Sequence, residues 1–388
     1  MRQHKILVVD DEPDLQMLIL QKFRKEIKND KYAFEFAENG ADALNMLDEK
    51  DDISLVLSDI NMPKMDGLTF LTEAQKLNNP TFKTVIVSAY GDMENIRTAM
   101  NRGAFDFVTK PIDFGDLTTT IEKSLKEIQL IYEGIERKKT LEAVQSDLET
   151  ASRIQQKMLP QEFPPFPDRE DFSIYAEMHT AKQVGGDLYD FFLLDEDRLG
   201  FVIGDVSGKG VPASLYMAVS RTMLKAIASQ IDDPGKCLQT VNEMLIPESD
   251  LTTFVTVFYG VLNTKTGQVQ YCNGGHNLPY VIRENGTIEE LENTEGLLLG
   301  KIDGIEFETK ELTLQPGEKI LMFTDGVTEA MNEDGNMYEE PRLESFLQKR
   351  ADNEPNKLVR NVIVDVLKFM NKADQSDDIT VMSVGYNG

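Results

Sequence analysis

Ile6-Leu7-Val8-Val9-Asp10-Asp11-Glu12-Pro13 decides how the N-terminal third of this chain reads: an apolar run long enough for one buried strand, closed by three carboxylates and a proline. Outward from it, similar short runs recur at 34–37, 53–57, 84–87 and 105–108, each followed by residues with helical spacing. Short strands alternating with helices predict a doubly wound five-stranded parallel sheet. Ligands of such sheets bind beyond the carboxyl ends of the strands. That rule singles out Asp10 and Asp11 after the first run, Asp59 after the third, Ser88 after the fourth and Lys110 after the fifth.

Three carboxylates at one sheet edge repel one another unless a cation sits among them, and an all-oxygen set favours Mg²⁺. A phosphoryl group bridged to that cation would have Ser88 and Lys110 for its remaining oxygens, with Asp59 as the nucleophile that forms an acyl phosphate. Acidic residues after strands are often plain helix N-caps, the better reading for Asp10 or Asp11 alone. Five polar residues in the expected order outweigh it.

Val8-Val9-Asp10-Asp11-Glu12-Pro13, Leu57-Ser58-Asp59-Ile60-Asn61-Met62-Pro63 with Asp66-Gly67, Ser88-Ala89 and Thr109-Lys110-Pro111 resemble the receiver domains of two-component response regulators across residues 1–125. The resemblance implies that Asp59 is the phosphoacceptor and that Asp10, Asp11 and Asp59 with the Asn61 carbonyl hold Mg²⁺. It implies further that Ser88 and Lys110 sense the phosphoryl group, that Phe107 is the switch aromatic and that the Lys110–Pro111 peptide is cis. A sensor histidine kinase is the partner it implies.

A chain of 388 residues suits two domains and a connector. Its net charge of −27 would repel nucleic acid and acidic membrane surfaces, so no nucleic-acid or membrane partner is expected. The one dense basic cluster, Arg137-Lys138-Lys139, lies in a mixed-charge stretch and reads as a solvated helix face. Cys237 and Cys272 are too few for a disulfide framework, and with three histidines zinc chemistry is not expected. No apolar run nears the roughly 18 residues that span a bilayer, and carboxylates stand where a signal peptide would stay apolar. A soluble, cytoplasmic protein is the expectation.

Residues 126–165 form the connector. Between 116 and 158 there is no proline and one glycine, Gly134, in a background of Glu, Lys, Leu, Ile and Gln, which predicts a long helix. Ile121, Ser124, Ile128, Ile131 and Ile135 make one 3-4 stripe; Leu141, Val144, Leu148, Ala151 and Met158 make another, out of phase, with the break near Gly134. Such stripes argue for a parallel coiled-coil homodimer, the phase shift marking a hinge or the end of the receiver's last helix. The alternative is a helix packed on its own domain. Pro160 and Pro164-Pro165-Phe166-Pro167 then end the connector.

In residues 166–388, alternating patterns at 199–203, 254–261 and 320–323 predict strands, and 213–229 and 355–371 predict helices, giving an α+β arrangement of largely antiparallel sheets flanked by helices. Acidic residues follow the apolar strands in Gly185-Gly186-Asp187, Gly204-Asp205-Val206-Ser207-Gly208-Lys209-Gly210, Phe323-Thr324-Asp325-Gly326 and Ser376-Asp377-Asp378-Ile379-Thr380. Any one Asp-Gly pair is most often a turn. Converging, they would be a carboxylate cluster without His or Cys, which selects Mg²⁺ or Mn²⁺ over zinc. Two such ions about 3.5–4 Å apart clamp a phosphate and activate a water for in-line attack.

These motifs, with Val211-Pro212-Ala213, Gly274-Gly275-His276-Asn277, Gly296 to Gly300 and Gly326-Val327-Thr328-Glu329-Ala330, resemble the PPM class of metal-dependent serine/threonine phosphatases, and more narrowly the bacterial RsbU/SpoIIE type. Residues 154–160 resemble the helix that precedes the catalytic domain in that group. The resemblance implies an antiparallel β-sandwich flanked by helices and two Mn²⁺ or Mg²⁺ ions. Asp205 would bridge them, the Val206 carbonyl, Asp325 and Asp377 would complete the site, and Asp187 would be a water-mediated or outer ligand. Asp378 stands where eukaryotic relatives commonly carry asparagine, which leaves its role open. His276 reads as a structural hydrogen-bonding residue in preference to a general acid, and Lys209 as a phosphate contact or a solvated side chain. No phosphate-gripping arginine is identifiable. The function implied is a response regulator whose phosphorylation at Asp59 controls a protein phosphatase acting on a phosphorylated anti-anti-sigma (STAS) protein. The alternative is a non-catalytic adaptor of a partner-switching pathway.

Overall fold

The computed structural model describes residues 3–77, 79–89, 91–249, 252–349 and 354–388, in two compact units, 1–144 and 145–388. In the first unit β1 (His4–Val9), α1 (Pro13–Lys22), α2 (Arg24–Lys28), β2 (Tyr32–Ala37), α3 (Gly40–Glu49), β3 (Ile53–Asp59), α4 (Gly67–Lys76), β4 (Lys83–Ala89), α5 (Met93–Asn101) and β5 (Asp106–Lys110) alternate along the chain. The strands form one parallel sheet in the order β2-β1-β3-β4-β5.

Side chains along a strand alternate between its faces, so the apolar runs fill two layers. Ile6, Val8, Leu55, Leu57, Val85 and Val87 face one core with Leu15 and Ile19 of α1. Leu7, Val9 and Val56 face the other, against Leu47 of α3 and Phe70 of α4. Two helices begin on side-chain caps: Asn39 accepts from the Ala41 and Asp42 amides, and Asp66 accepts from Thr69 at 2.6 Å. The carboxyl ends of β1, β3, β4 and β5 are thereby fixed side by side.

Helix α6 (Phe114–Met158) is one unbroken helix of 45 residues, with no interruption at Gly134. A mid-helix glycine costs about 1 kcal/mol relative to alanine, too little to break a helix this long, so the expected hinge is replaced by continuous helix. The first stripe is corrected in part. Ile121, Ser124 and Ile128 are buried, and Ile121 and Ile128 pack with Leu117 and Leu125 into the first unit's own core. In the second stripe Leu141 is 71 % exposed and Val144 50 %.

The second unit continues with β6 (Phe172–His179), β7 (Leu188–Leu193), β8 (Arg198–Val206), α7 (Val211–Ala228), α8 (Pro234–Leu245), β9 (Val255–Asn263), β10 (Gln268–Gly274), β11 (Tyr280–Ile282), β12 (Ile288–Glu290), β13 (Lys310–Thr313), β14 (Lys319–Phe323), the single turn α9 (Asp325–Thr328), α10 (Glu340–Lys349), α11 (Pro355–Met370) and β15 (Ile379–Tyr386). Two antiparallel five-stranded sheets result, β13-β10-β9-β8-β7 and β12-β11-β14-β15-β6. Phe201, Ile203 and Phe258 of one sheet meet Ile320, Met322, Met382 and Val384 of the other in the central core. The residues between them point outward, Val202 and Val257 beneath α7 and α8, Leu321 and Val381 beneath α10 and α11. Helices therefore cover both outer faces, and the ends of β8 and β14 and the start of β15 carry the aspartates of interest.

Candidate functional site

In the first unit the ligand oxygens of Asp10, Asp11 and Asp59 lie within 4.8 Å of one another, the one such group of three among the described residues. Asp10 and Asp59 are almost fully buried; Asp11 is exposed. Burial pushes the Asp10 carboxyl up, and Lys110 opposes it. The Lys110 ammonium lies 2.9 Å from both Asp10 Oδ2 and Asp59 Oδ2 and 3.2 Å from Glu12 Oε1. Desolvation pulls its pKa down, but bonds to Asp59 and Asp10 outweigh this and raise it. Asp59 Oδ1 accepts the Ile60 amide at 2.6 Å. Ser88 is buried near the end of β4 and its hydroxyl has no hydrogen-bond partner. Phe107 is half-buried on β5 against a cluster of Ile60, Leu71, Ile86, Ala99 and Ala104, and Asn61 lies exposed in the turn after β3. The Lys110–Pro111 peptide is cis, as the resemblance implies.

The second unit gathers its carboxylates from strands far apart in sequence. Asp205 ends β8, Asp325 opens α9 after β14, Asp377 and Asp378 precede β15, and Asp187 precedes β7. Asp187 is 1 % exposed and accepts hydroxyl hydrogen bonds from Thr324, at 2.8 Å, and from Thr380. Burial, then Asp205 and Asp378, hold its carboxyl well above the usual range. Asp205 is pushed up to about 7 by burial and the Asp325 charge. Asp325 rises to about 6 through burial, Glu329 and Asp377. Gly326 must be glycine, because a Cβ there would lie 1.9 Å from the Asp378 carbonyl oxygen. That close approach packs α9 onto the start of β15.

Three residues left open by the sequence acquire partners here. Lys209 is exposed, and its ammonium pairs with Asp377 Oδ2 at 2.7 Å and donates to the Ser376 carbonyl. Asp378 accepts the Ala181 amide at 2.8 Å through one oxygen and the Gly186 amide at 2.7 Å through the other, so it holds the loop that delivers Asp187. His276 is buried with Nδ1 3.0 Å from Thr256 Oγ1, and Thr256 is also 3.4 Å from the Asp205 carbonyl. Its backbone amide and carbonyl are both held by the Asn273 side chain at 2.9 Å. The donor set fits divalent cations: oxygen ligands only, and carboxylates raised first by burial and then by neighbouring carboxylates.

Two families match the chain, the response regulator receiver domain over residues 6–122 and Stage II sporulation protein E (SpoIIE) over residues 195–387. The chain joins a receiver domain to a SpoIIE-type, PPM-class phosphatase domain. Asp187 lies ahead of the matched SpoIIE span. Phosphoserine phosphatase RsbU of Bacillus subtilis is 29 % identical over 240 residues, covering 62 % of this chain and 70 % of RsbU. Protein IcfG of Synechocystis is 29 % identical over 273 residues, but the chain spans only 42 % of its length. The phosphatase domain also has the fold of the SiaA-PP2C domain of Pseudomonas aeruginosa, at TM-score 0.56 and 20 % identity, covering 64 % of this chain and 99 % of that domain. No described helix is long and apolar enough to cross a membrane.

Proposed function

We propose that this chain is a metal-dependent protein serine/threonine phosphatase whose activity is set by phosphorylation of its receiver domain at Asp59. The observation that carries the reading is the convergence of Asp187, Asp205 and Asp325, buried or partly buried and raised by that burial and by neighbouring carboxylates, beside Asp377 in a SpoIIE-type domain. Asp205 would hold both of two Mn²⁺ or Mg²⁺ ions, with Asp325, Asp377 and the Val206 carbonyl completing the set and Asp187 acting through water. Bound ions of this kind neutralise phosphate oxygens and make a water acidic enough to attack in line. The protein's own part is positioning: Lys209 fixes Asp377, Thr324 and Thr380 fix Asp187, and the His276–Thr256 bond steadies the backbone behind Asp205.

In the receiver, Asp59 would take a phosphoryl group from the phosphohistidine of a sensor kinase, the P–N bond breaking as the P–O bond forms. Mg²⁺ would sit on Asp10, Asp11, Asp59 and the Asn61 carbonyl, with Ser88 and Lys110 for the phosphoryl oxygens and Phe107 following Ser88. The substrate we infer is a phosphoserine or phosphothreonine STAS protein, a reading supported by the likeness to a phosphoserine phosphatase. Pairing of two chains through the exposed Leu141 and Val144 would couple the two domains.

Phosphate release from a phosphoserine STAS protein, measured against Mn²⁺ concentration, tests the catalytic half. Asp205→Asn is expected to lower the rate by at least about a hundredfold, because a carboxylate shared by two cations is replaced by a neutral amide. Equal rates for the variant and the parent would remove the metal-site assignment.

A further inference from the structure

Helix α6 ends by gripping the loop that carries Asp187. Gln155, three residues before the end of the helix, is only 6 % exposed although its neighbours Ile154 and Gln156 face solvent. Its side-chain amide donates from Nε2 to the Gly185 carbonyl at 2.7 Å and accepts at Oε1 from the Gly185 amide at 3.0 Å. One backbone residue offers one donor and one acceptor, so this two-point bond fixes the amide's orientation and uses both halves of it.

The grip reaches the carboxylate cluster in two steps. Gly185 lies between Gln155 and Asp378, and a Cβ at that position would fall 2.3 Å from Asp378 Oδ2. Asp378 binds the next amide, Gly186, and Asp187 follows immediately. The loop is therefore held from the helix side by Gln155 and from the sheet side by Asp378. On the helix, Leu159 stands one turn beyond Gln155, buried in the central core, and the Pro160 carbonyl accepts from the Tyr189 hydroxyl at 2.8 Å. Those anchors set the rotation of the helix end that turns Gln155 inward.

We propose that Gln155 is a positioning residue for the metal site: through Gly185 it sets the loop that places Asp187, and so ties metal affinity to the seating of the end of α6. It touches neither substrate nor metal. Partners that orient metal-binding groups in this way are worth about 10- to 100-fold in affinity. The inference rests on the phosphatase reading, which its test keeps separate.

Calorimetric titration of the full chain with Mn²⁺ alone, alongside thermal unfolding and steady-state kinetics on p-nitrophenyl phosphate, reads the two apart. Gln155→Leu, which keeps the bulk and removes both bonds, is expected to weaken Mn²⁺ binding about tenfold. Its kcat/KM should fall at low Mn²⁺ and recover at saturating Mn²⁺. Gln155→Glu keeps the acceptor for the Gly185 amide but loses the donor to the carbonyl, and should fall between. Mn²⁺ affinity unchanged in both variants overturns the proposal, as does lowered melting with unchanged affinity, and as does failure of both variants to fold. A parent chain that neither binds Mn²⁺ nor releases phosphate would instead overturn the phosphatase reading.

Discussion

His276 is buried in its Gly-Gly-His-Asn turn, and desolvation lowers its pKa to about 4, against 6.5 in an unfolded chain. The folded imidazole stays neutral where the unfolded one takes a proton. Its contribution to stability is therefore complete above pH 6.5 and is lost as pH falls through the window from 6.5 to 4. Between pH 7 and 5.5 the loss is about 1 kcal/mol. Urea unfolding of the parent and of His276→Gln at both pH values should show the parent losing that much more than the variant; identical losses would mean that the ring is solvated. The sequence favoured a hydrogen-bonding place for His276 but offered no partner for it, and none for Lys209 or Asp378. Asp378 meets Ala181 across 197 positions of sequence, and Lys209 meets Ser376 across 167. Motif spacing says which residue types are present, but it does not say which oxygen a given amide or ammonium finds. Gln155 carried only a helix-ending signal for the same reason.

Helix α6 shows what periodicity conveys at the next scale. A stripe at 3-4 spacing states that one face is apolar, and it reads the same whether that face covers the domain's own core or a second chain. Ile121 and Ile128 do the first. Leu141 and Val144 remain exposed, and the proposed pairing of chains rests on them. Leu141→Glu together with Val144→Glu should shift sedimentation equilibrium toward monomer by tenfold or more in Kd, on the order of the 1.4 kcal/mol that such a factor represents. An unchanged association would remove α6 as the interface. Within the same helix a Cβ at Gly134 meets nothing within 4 Å. Gly134→Ala should therefore gain most of the helix-propensity difference, about 0.5–1 kcal/mol, and slow amide exchange around residue 134 about two- to fivefold. Exchange that is no slower would place a bend there in solution.

Across the whole molecule the receiver fold was the more legible of the two, because a parallel sheet buried on both faces writes its strands as near-continuous apolar runs in regular order. The order of the phosphatase sheets was not legible: β6 pairs with β15, the last strand of the chain, and sequence patterns carry no sign of a partner that distant. In the phosphatase unit only Asp205 and Asp325 follow apolar strands as the sequence pattern suggested, whereas Asp187 and Asp377-Asp378 stand ahead of β7 and β15, and the hydrogen-bond partners of these aspartates were visible only in three dimensions. The central claim is that one cluster governs the other. Its most direct test is the rate at which the full chain, in Mn²⁺, releases phosphate from a phosphoserine STAS protein with and without beryllofluoride, an acyl-phosphate mimic, on Asp59. The account predicts a change of at least about tenfold, on the order of the 1–3 kcal/mol typical of coupled sites, that is absent in Asp59→Asn. Equal rates with and without the mimic would contradict it.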